Sequence, residues 1–127
     1  MKGRERRVAV AGAANLDIMG FTEAALIPRD SNPGRVESRP GGVGRNIAEN
    51  LARLGVPVSL VTALGDDAGG SAIRASCDVA GVGLEHALVL PERTSSTYMA
   101  IMDEEGDMAL GLSDMSILDE LTAERLD

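Results

Sequence analysis

Short apolar runs alternate with two helical periods along this chain. Val8-Ala9-Val10-Ala11-Gly12 is a small, unbroken apolar stretch that reads as a buried strand, parallel and central in its sheet. Asn15-Leu16-Asp17-Ile18 follows just past its end, where open α/β sheets take their ligands. Residues 18–39 carry no helical period. Pro28, Asp30, Ser31, Asn32, Pro33 and Gly34 crowd this region with turn formers, and short extended pieces at 20–27 and 35–39 predict a hairpin-like flap. Val43, Ile47, Leu51 and Leu54 then recur at intervals of 4, 4 and 3, broadened by Ala48 and Ala52. They predict a helix with one apolar stripe, with Asn46, Asn50 and Arg53 on a stripe of their own. Gly55 supplies its stop and Pro57 forbids continuation. Residues 58–63 read as the next buried strand. The stretch 8–63 is therefore a βαβ unit with an insertion before its helix.

The second half repeats the theme. Residues 69–80 predict a helix with Ile73, Cys77 and Ala80 on its buried side, ended by Gly81 and Gly83, and residues 84–90 a short strand. Residues 97–102 predict a strand with Tyr98, Ala100 and Met102 on one face, turning at 103–107 and returning antiparallel over 108–110. Thr122 is a good N-cap for a helix starting at Ala123, which has about one turn before the last residue. One turn has nothing to stabilise it, so the expectation is a polypeptide ending inside a larger fold.

Composition sharpens this picture in three places. Phe21 and Tyr98 are the only aromatics, so Ala, Val, Leu and Ile must build the core. The net charge of −8 argues against a nucleic-acid partner, which would need a cationic footprint. The one basic cluster, Lys2-Gly3-Arg4-Glu5-Arg6-Arg7, reads as a solvated tail over residues 1–7, while 103–127 reads as acidic, solvated surface. Cys77 is the only cysteine, which removes any disulfide within the chain and any cysteine-based metal site. With no 18-residue apolar span and no signal-type hydrophobic segment, the expectation is a cytoplasmic protein with no membrane partner.

The glycine-rich string Gly41-Gly42-Val43-Gly44-Arg45-Asn46 carries the main candidate chemistry. No Gly-Lys-Ser/Thr follows, so it is not a Walker A loop. Ile47 stands where a dinucleotide fingerprint needs glycine or alanine. A glycine pair leading into a helix N-terminus remains. It can cradle an oxygen-rich ligand, or simply let the helix lie close to the sheet, and both readings stay open here. Asn46, in the first turn or so, can donate and accept toward sugar hydroxyls, or serve as a solvated or capping residue. Asp17 offers two acceptors to a diol, or an Asx-turn, and Asn15 shares that ambiguity. Asp66 and Asp67 lack a third ligand at calcium-loop spacing, which favours a helix-start role. His86, the one histidine, has no nucleophile at useful spacing. Cys77 reads as core filler, and Met99, Met102 and Met108 as hairpin packing.

Together, Gly12-Ala13-Ala14-Asn15-Leu16-Asp17, then Pro40-Gly41-Gly42-Val43-Gly44-Arg45-Asn46 with Ala48, Asn50, Leu51, Leu54 and Gly55, then Gly65-Asp66-Asp67-Ala68-Gly69-Gly70, resemble the PfkB, or ribokinase-like, carbohydrate kinase family. Asp30-Ser31-Asn32-Pro33-Gly34 with the glycine string looks most like its pseudouridine kinase branch. The resemblance implies an α/β fold with a central, mostly parallel sheet flanked by helices and a small β lid. Residues 8–127 would be the N-terminal part of that domain, with lid-associated segments at about 18–39 and 97–110. It implies phosphoryl transfer from ATP, with Mg2+ and stimulation by K+, to a sugar or nucleoside hydroxymethyl group, and a homodimer formed through the lid strands. By resemblance Asp17 and Asn15 would bind sugar hydroxyls, Gly41 and Gly42 would bring backbone against the ribose, and Asn46 would hydrogen-bond a hydroxyl. Tyr98 and Asp114 are carried over more weakly as neighbours of the substrate.

The departure from the family is large. Its members are about twice this length or more, and the Asp-Thr-x-Gly-Ala-Gly-Asp signature that holds the catalytic Asp and the anion hole does not occur here. The catalytic Asp is expected beyond Asp127, so this chain supplies acceptor-binding residues and no general base. Rival expectations are a kinase for ribose or another sugar, and a non-catalytic sugar-binding or oligomerisation module.

Overall fold

The computed structural model describes residues 6–126. Its strands are β1 (Val8–Ala11), β2 (Asn15–Thr22), β3 (Gly34–Gly41), β4 (Val58–Val61), β5 (Ala63–Gly65), β6 (Leu88–Leu90), β7 (Thr97–Met102) and β8 (Met108–Asp114). The helices are α1 (Val43–Arg53), α2 (Ala68–Ala80) and α3 (Ala123–Leu126), with a 3-10 turn at Ser116–Glu120 before the last. The mixed α/β class expected from the sequence is realised. No described helix is long and apolar enough to cross a membrane. Four residues of the basic segment, with Met1, lie outside the described part.

The base of the molecule is parallel. β1 pairs with β4 and β5 pairs with β6, and Thr62 alone separates β4 from β5. The run expected as one strand over 58–63 is thus two short strands that find different partners. α1 and α2 pack on this layer, and the core between them holds Ala14, Ala48, Val58, Leu60, Leu64, Ile73, Cys77 and Val82. Ala63, Leu90 and Ile117 form a smaller cluster, where the 3-10 turn meets β5. As composition requires, both cores are aliphatic apart from Cys77. The two helices stop as predicted. Gly55 and Gly81 take φ of 79° and 81°, and Val56 and Val82 donate back to the carbonyls of Leu51 and Cys77.

Three expectations change. β1 is largely exposed rather than buried, because among the described residues only β4 flanks it. Arg7, read as part of a solvated tail, donates to Ser59 Oγ at 3.2 Å and to Glu85 at 3.2 Å, and so anchors the start of β1. The third change is in α1. Val43, Ile47 and Leu54 are 73%, 47% and 79% exposed, and the buried face is Gly44, Arg45 and Ala48 with part of Leu51 and Ala52. Small residues win the inner face because the helix lies against backbone. A Cβ added to Gly44 would come within 2.9 Å of Gly12 Cα, and Arg45 N–H donates to Ala13 O at 3.0 Å.

The excursion at 18–39 and the hairpin near 97–110 join into one four-stranded sheet, in the order β3-β2-β7-β8. β2 pairs antiparallel with β3 and parallel with β7, and β8 returns antiparallel to β7 as far as Asp114, four residues further than expected. Side chains alternate between its faces. One face carries Ile18, Val36, Met99, Ile101, Leu110 and Leu112, of which Val36, Met99, Leu110 and Leu112 are exposed. The other carries Asn15, Asp17, Arg39, Glu37, Arg35, Tyr98 and Ala100. The sheet joins the base along one edge. There Asn15 pairs with Gly41, Leu16 pairs with Thr97, and Leu16 N–H donates to Ser96 O at 2.9 Å.

Candidate functional site

Asn15 and Asp17 are two residues apart on β2, so strand geometry alone puts both side chains on one face. They touch: Asn15 Nδ2 donates to Asp17 Oδ1 at 2.5 Å. Both are placed within a strand rather than in the turn before it, which removes the Asx-turn reading. The amide donor leaves the second carboxylate oxygen free of side-chain partners among the described residues, and aimed across the end of β3.

The glycine pair explains how this is possible. A Cβ on Gly41 would overlap Asp17 Oδ2 and lie 3.0 Å from its Cγ. A Cβ on Gly42 would lie 2.5 Å from Ala13 O and 2.8 Å from Asn15 Oδ1, and Gly42 also has φ of 101°. Gly42 is therefore required by close approach to backbone and by its backbone angle, whereas a side chain at Gly41 would displace the Asp17 carboxylate. The close packing expected of this string is seen here: the missing side chains make the space that the Asp17 carboxylate and the Asn15 amide occupy. Asn15, Asp17, Gly41 and Gly42 form one contact group.

Asn46 stands apart from that group. It lies one turn into α1, its N–H donates to Gly42 O at 2.9 Å, and its side chain is exposed. Its amide oxygen accepts from Arg45 Nη1 at 3.0 Å, and among the described residues no hydrogen bond joins it to Asn15 or Asp17. No side chain caps α1 and no acidic residue stands in its first turn; Arg45 N–H is instead taken by the carbonyl of Ala13.

Asp17 has neighbours on both sides in register, Arg39 on β3 and Tyr98 on β7. The Tyr98 ring lies across β8, with its hydroxyl 3.2 Å from Met108 Sδ and against Gly111, where a Cβ would come within 2.9 Å of Oη. The ring therefore leans over β8, on the side of β7 away from β2 and Asp17. Asp114 pairs with Thr97, so it alternates to the opposite face and stands away from the site. Along β3, Glu37 pairs with Arg35 and with Arg39, and Arg35 stacks 4.0 Å over the Phe21 ring. This charged row also blunts an edge strand.

Asp67 is the helix-start residue expected of it, and more. It accepts from Gly70 N–H, Ser95 N–H and Ser95 Oγ, all at 2.6–2.8 Å, and Ser95 Oγ in turn accepts from Gly65 N–H at 2.8 Å. Burial pushes the Asp67 carboxyl up, but the Ser95 and Gly70 donors together outweigh it and hold the group below its ordinary value. The clamp fixes the residues that lead into β7. Asp66 beside it is exposed, His86 sits in an exposed turn, and Cys77 is buried with its thiol pushed up by desolvation. Among the described residues no group of three His, Cys, Asp or Glu could hold a metal.

The residue that sequence reasoning passed over is Arg45. It is only 7% exposed and reaches from α1 to α2, where Nε donates to Ser76 Oγ at 2.9 Å. Nη1 is shared between Asn46 and Glu49, and Glu49 also binds Arg53. Hydrogen bonds from Arg53 and Arg45 hold the Glu49 carboxyl below its ordinary range. The signal was present: Arg45, Glu49 and Arg53 are an i,i+4 charge ladder running beside Gly44 and Ala48.

The pfkB family carbohydrate kinase profile matches residues 5–126. The chain is 40% identical to the pseudouridine kinase of Escherichia coli K12 over 119 residues, 94% of this chain and 38% of that protein. Its structure is similar to a carbohydrate kinase from Agrobacterium tumefaciens, with a TM-score of 0.89, 32% identity, and 95% of this chain on 39% of that one. It is also similar to an Arabidopsis thaliana ribokinase complexed with ribose and ATP, at a TM-score of 0.75 and 25% identity, with 84% of this chain on 35% of that one. The chain thus spans less than two fifths of the length of these relatives.

Proposed function

The chain belongs to the pfkB family of carbohydrate kinases, and from that premise we propose that the whole protein phosphorylates a ribose-containing nucleoside, pseudouridine, at its 5′-hydroxyl with ATP. The residues of this chain hold the acceptor. The observation that carries the reading is the contact group of Asn15, Asp17, Gly41 and Gly42. Asp17 is a pure hydrogen-bond acceptor, and two neighbouring ribose hydroxyls are two donors at matching spacing. Bonds to an ionised carboxylate are the stronger kind. Asn15 braces one carboxylate oxygen and the glycine backbone limits the other, so the group is positioned before the sugar arrives. Holding the acceptor in one pose converts part of the entropic barrier into binding.

This reading assigns no step of phosphoryl transfer to these residues, and places the nucleotide, its metal and the general base in the rest of the protein. Asp17 positions the sugar and does not take the proton. The similarity to a pseudouridine kinase favours that acceptor.

The exposed apolar face of the four-stranded sheet supports a second part of the reading, a homodimer through the lid. Val36, Met99, Leu110 and Leu112 form a patch that water leaves unsatisfied and a second copy would bury.

The test is an acceptor panel with the full-length protein: pseudouridine, uridine, ribose and a ketohexose. Pseudouridine is expected to give the highest kcat/KM, and the 127-residue chain alone to give no turnover. A clear preference for a free sugar would replace the nucleoside reading. Turnover by the chain alone would remove the division of labour.

A further inference from the structure

The buried guanidinium of Arg45 has no role in the contact group around Asp17, yet burying a charge is costly unless it is paired and hydrogen-bonded. Its Nε and Nη1 donors are used in a directed way. Nε is tied to Ser76 Oγ on α2, and Ser76 Oγ donates onward to Ile73 O at 2.7 Å, so the guanidinium plane is fixed to a neighbouring helix. Nη1 then meets Glu49 Oε2 at 2.9 Å and Asn46 Oδ1 at 3.0 Å. Glu49 balances the charge. Asn46 receives only orientation.

An exposed asparagine amide can turn either end toward a ligand. With Oδ1 held by a fixed cation, that freedom is gone, and the two Nδ2 hydrogens are the end left to face outward. We propose that Arg45 is a positioning residue which sets Asn46 as a hydrogen-bond donor toward the acceptor substrate. Asn46 then has the polarity opposite to Asp17. The carboxylate takes hydroxyl hydrogens, and the amide gives hydrogens to a hydroxyl or carbonyl oxygen. This rests on the proposed kinase function and on the hydroxyl-binding role that the family resemblance implies for Asn46, and adds the direction of its bond and the residue that enforces it.

The test uses the full-length protein and a double-mutant cycle read in KM for the acceptor, kcat and KM for ATP. Asn46→Ala and Arg45→Met are each expected to raise acceptor KM about ten-fold, the loss of one oriented hydrogen bond, with ATP KM unchanged. Arg45→Met added to Asn46→Ala should change acceptor KM by less than about two-fold, because nothing remains to position. Asn46→Asp keeps the partner of Arg45 but removes the donor, and should behave like Asn46→Ala. Multiplicative effects of the two single variants, or an equal rise in ATP KM, would mean that Arg45 is merely structural and would overturn the inference while leaving Asn46 a ligand. An unchanged acceptor KM in Asn46→Ala would overturn both. Should Arg45→Met fail to fold, Ser76→Ala removes the brace and keeps the charge. A rise in acceptor KM that vanishes in the Asn46→Ala background supports the proposal, and a rise that persists there refutes it.

Discussion

The carboxylate of Asp17 occupies the space a side chain on Gly41 would need, with Cγ 3.0 Å from the place of an added Cβ. The obstructing group is the end of a side chain rather than backbone. In Gly41→Ala the fold should survive and the carboxylate should rotate away. Acceptor KM is expected to rise about ten-fold or more, as misplaced contacts do, with ATP KM and melting temperature nearly unchanged. Steady-state kinetics beside a thermal melt separates the two; a large loss of Tm would show that Gly41 matters for folding instead.

Gly44 makes the opposite case. Its missing Cβ faces Gly12 Cα and carbonyl carbon at 2.9 Å, and neither can turn aside. Gly44→Ala should push α1 off the β1–β2 turn and cost about 1–3 kcal/mol, the range for overpacking a tight contact. Denaturant midpoints measure it, and a midpoint equal to wild type would contradict the packing described.

Asp67 links stability to pH. Its folded pKa lies below the ordinary carboxylate value, so its contribution is complete above the unfolded pKa and is lost as pH falls through the folded one. Asp67→Asn should therefore flatten the fall in stability below about pH 5. Asp67→Ala should cost about 1–2 kcal/mol at neutral pH through the lost cap alone. Melts across pH 3–7, an interval chosen to bracket about the carboxylate range, test both, and an unchanged acid limb in Asp67→Asn would count against the clamp.

Leu110 and Leu112 sit on the exposed apolar face of an edge strand. Changing both to glutamate should convert a lid-mediated dimer of the full-length protein to monomer, seen by light scattering. A wild-type protein that is already monomeric would refute the dimer.

The fold was legible wherever periodicity reports a local property. Both long helices, their glycine stops and the flap followed from spacing and turn chemistry. The inner face of α1 was not, because Val43, Ile47 and Leu54 outweigh Gly44 and Ala48 on any hydrophobicity count, whereas the helix is seated by backbone contact. Asn15, Asp17, Gly41 and Gly42 could be named one by one. That they touch depends on β2 pairing with β3, a register set by residues up to 26 positions apart. Arg45 escaped because a charged residue on an amphipathic helix is normally solvent-facing; only its partner on α2 shows otherwise.

The edge where the four-stranded sheet joins the base has a mechanical consequence. The chain crosses it at Asn15, at Gly41, at Ser96 and again after Asp114, and these crossings lie side by side in one row. A pivot of the sheet has its axis on that row. The far tips near residues 23–33 and 103–107 would sweep a wide arc, while Asp17, next to the axis, would scarcely travel. Under the proposed role of Asp17, its contact with the acceptor would thus stay set whichever way the sheet pivots.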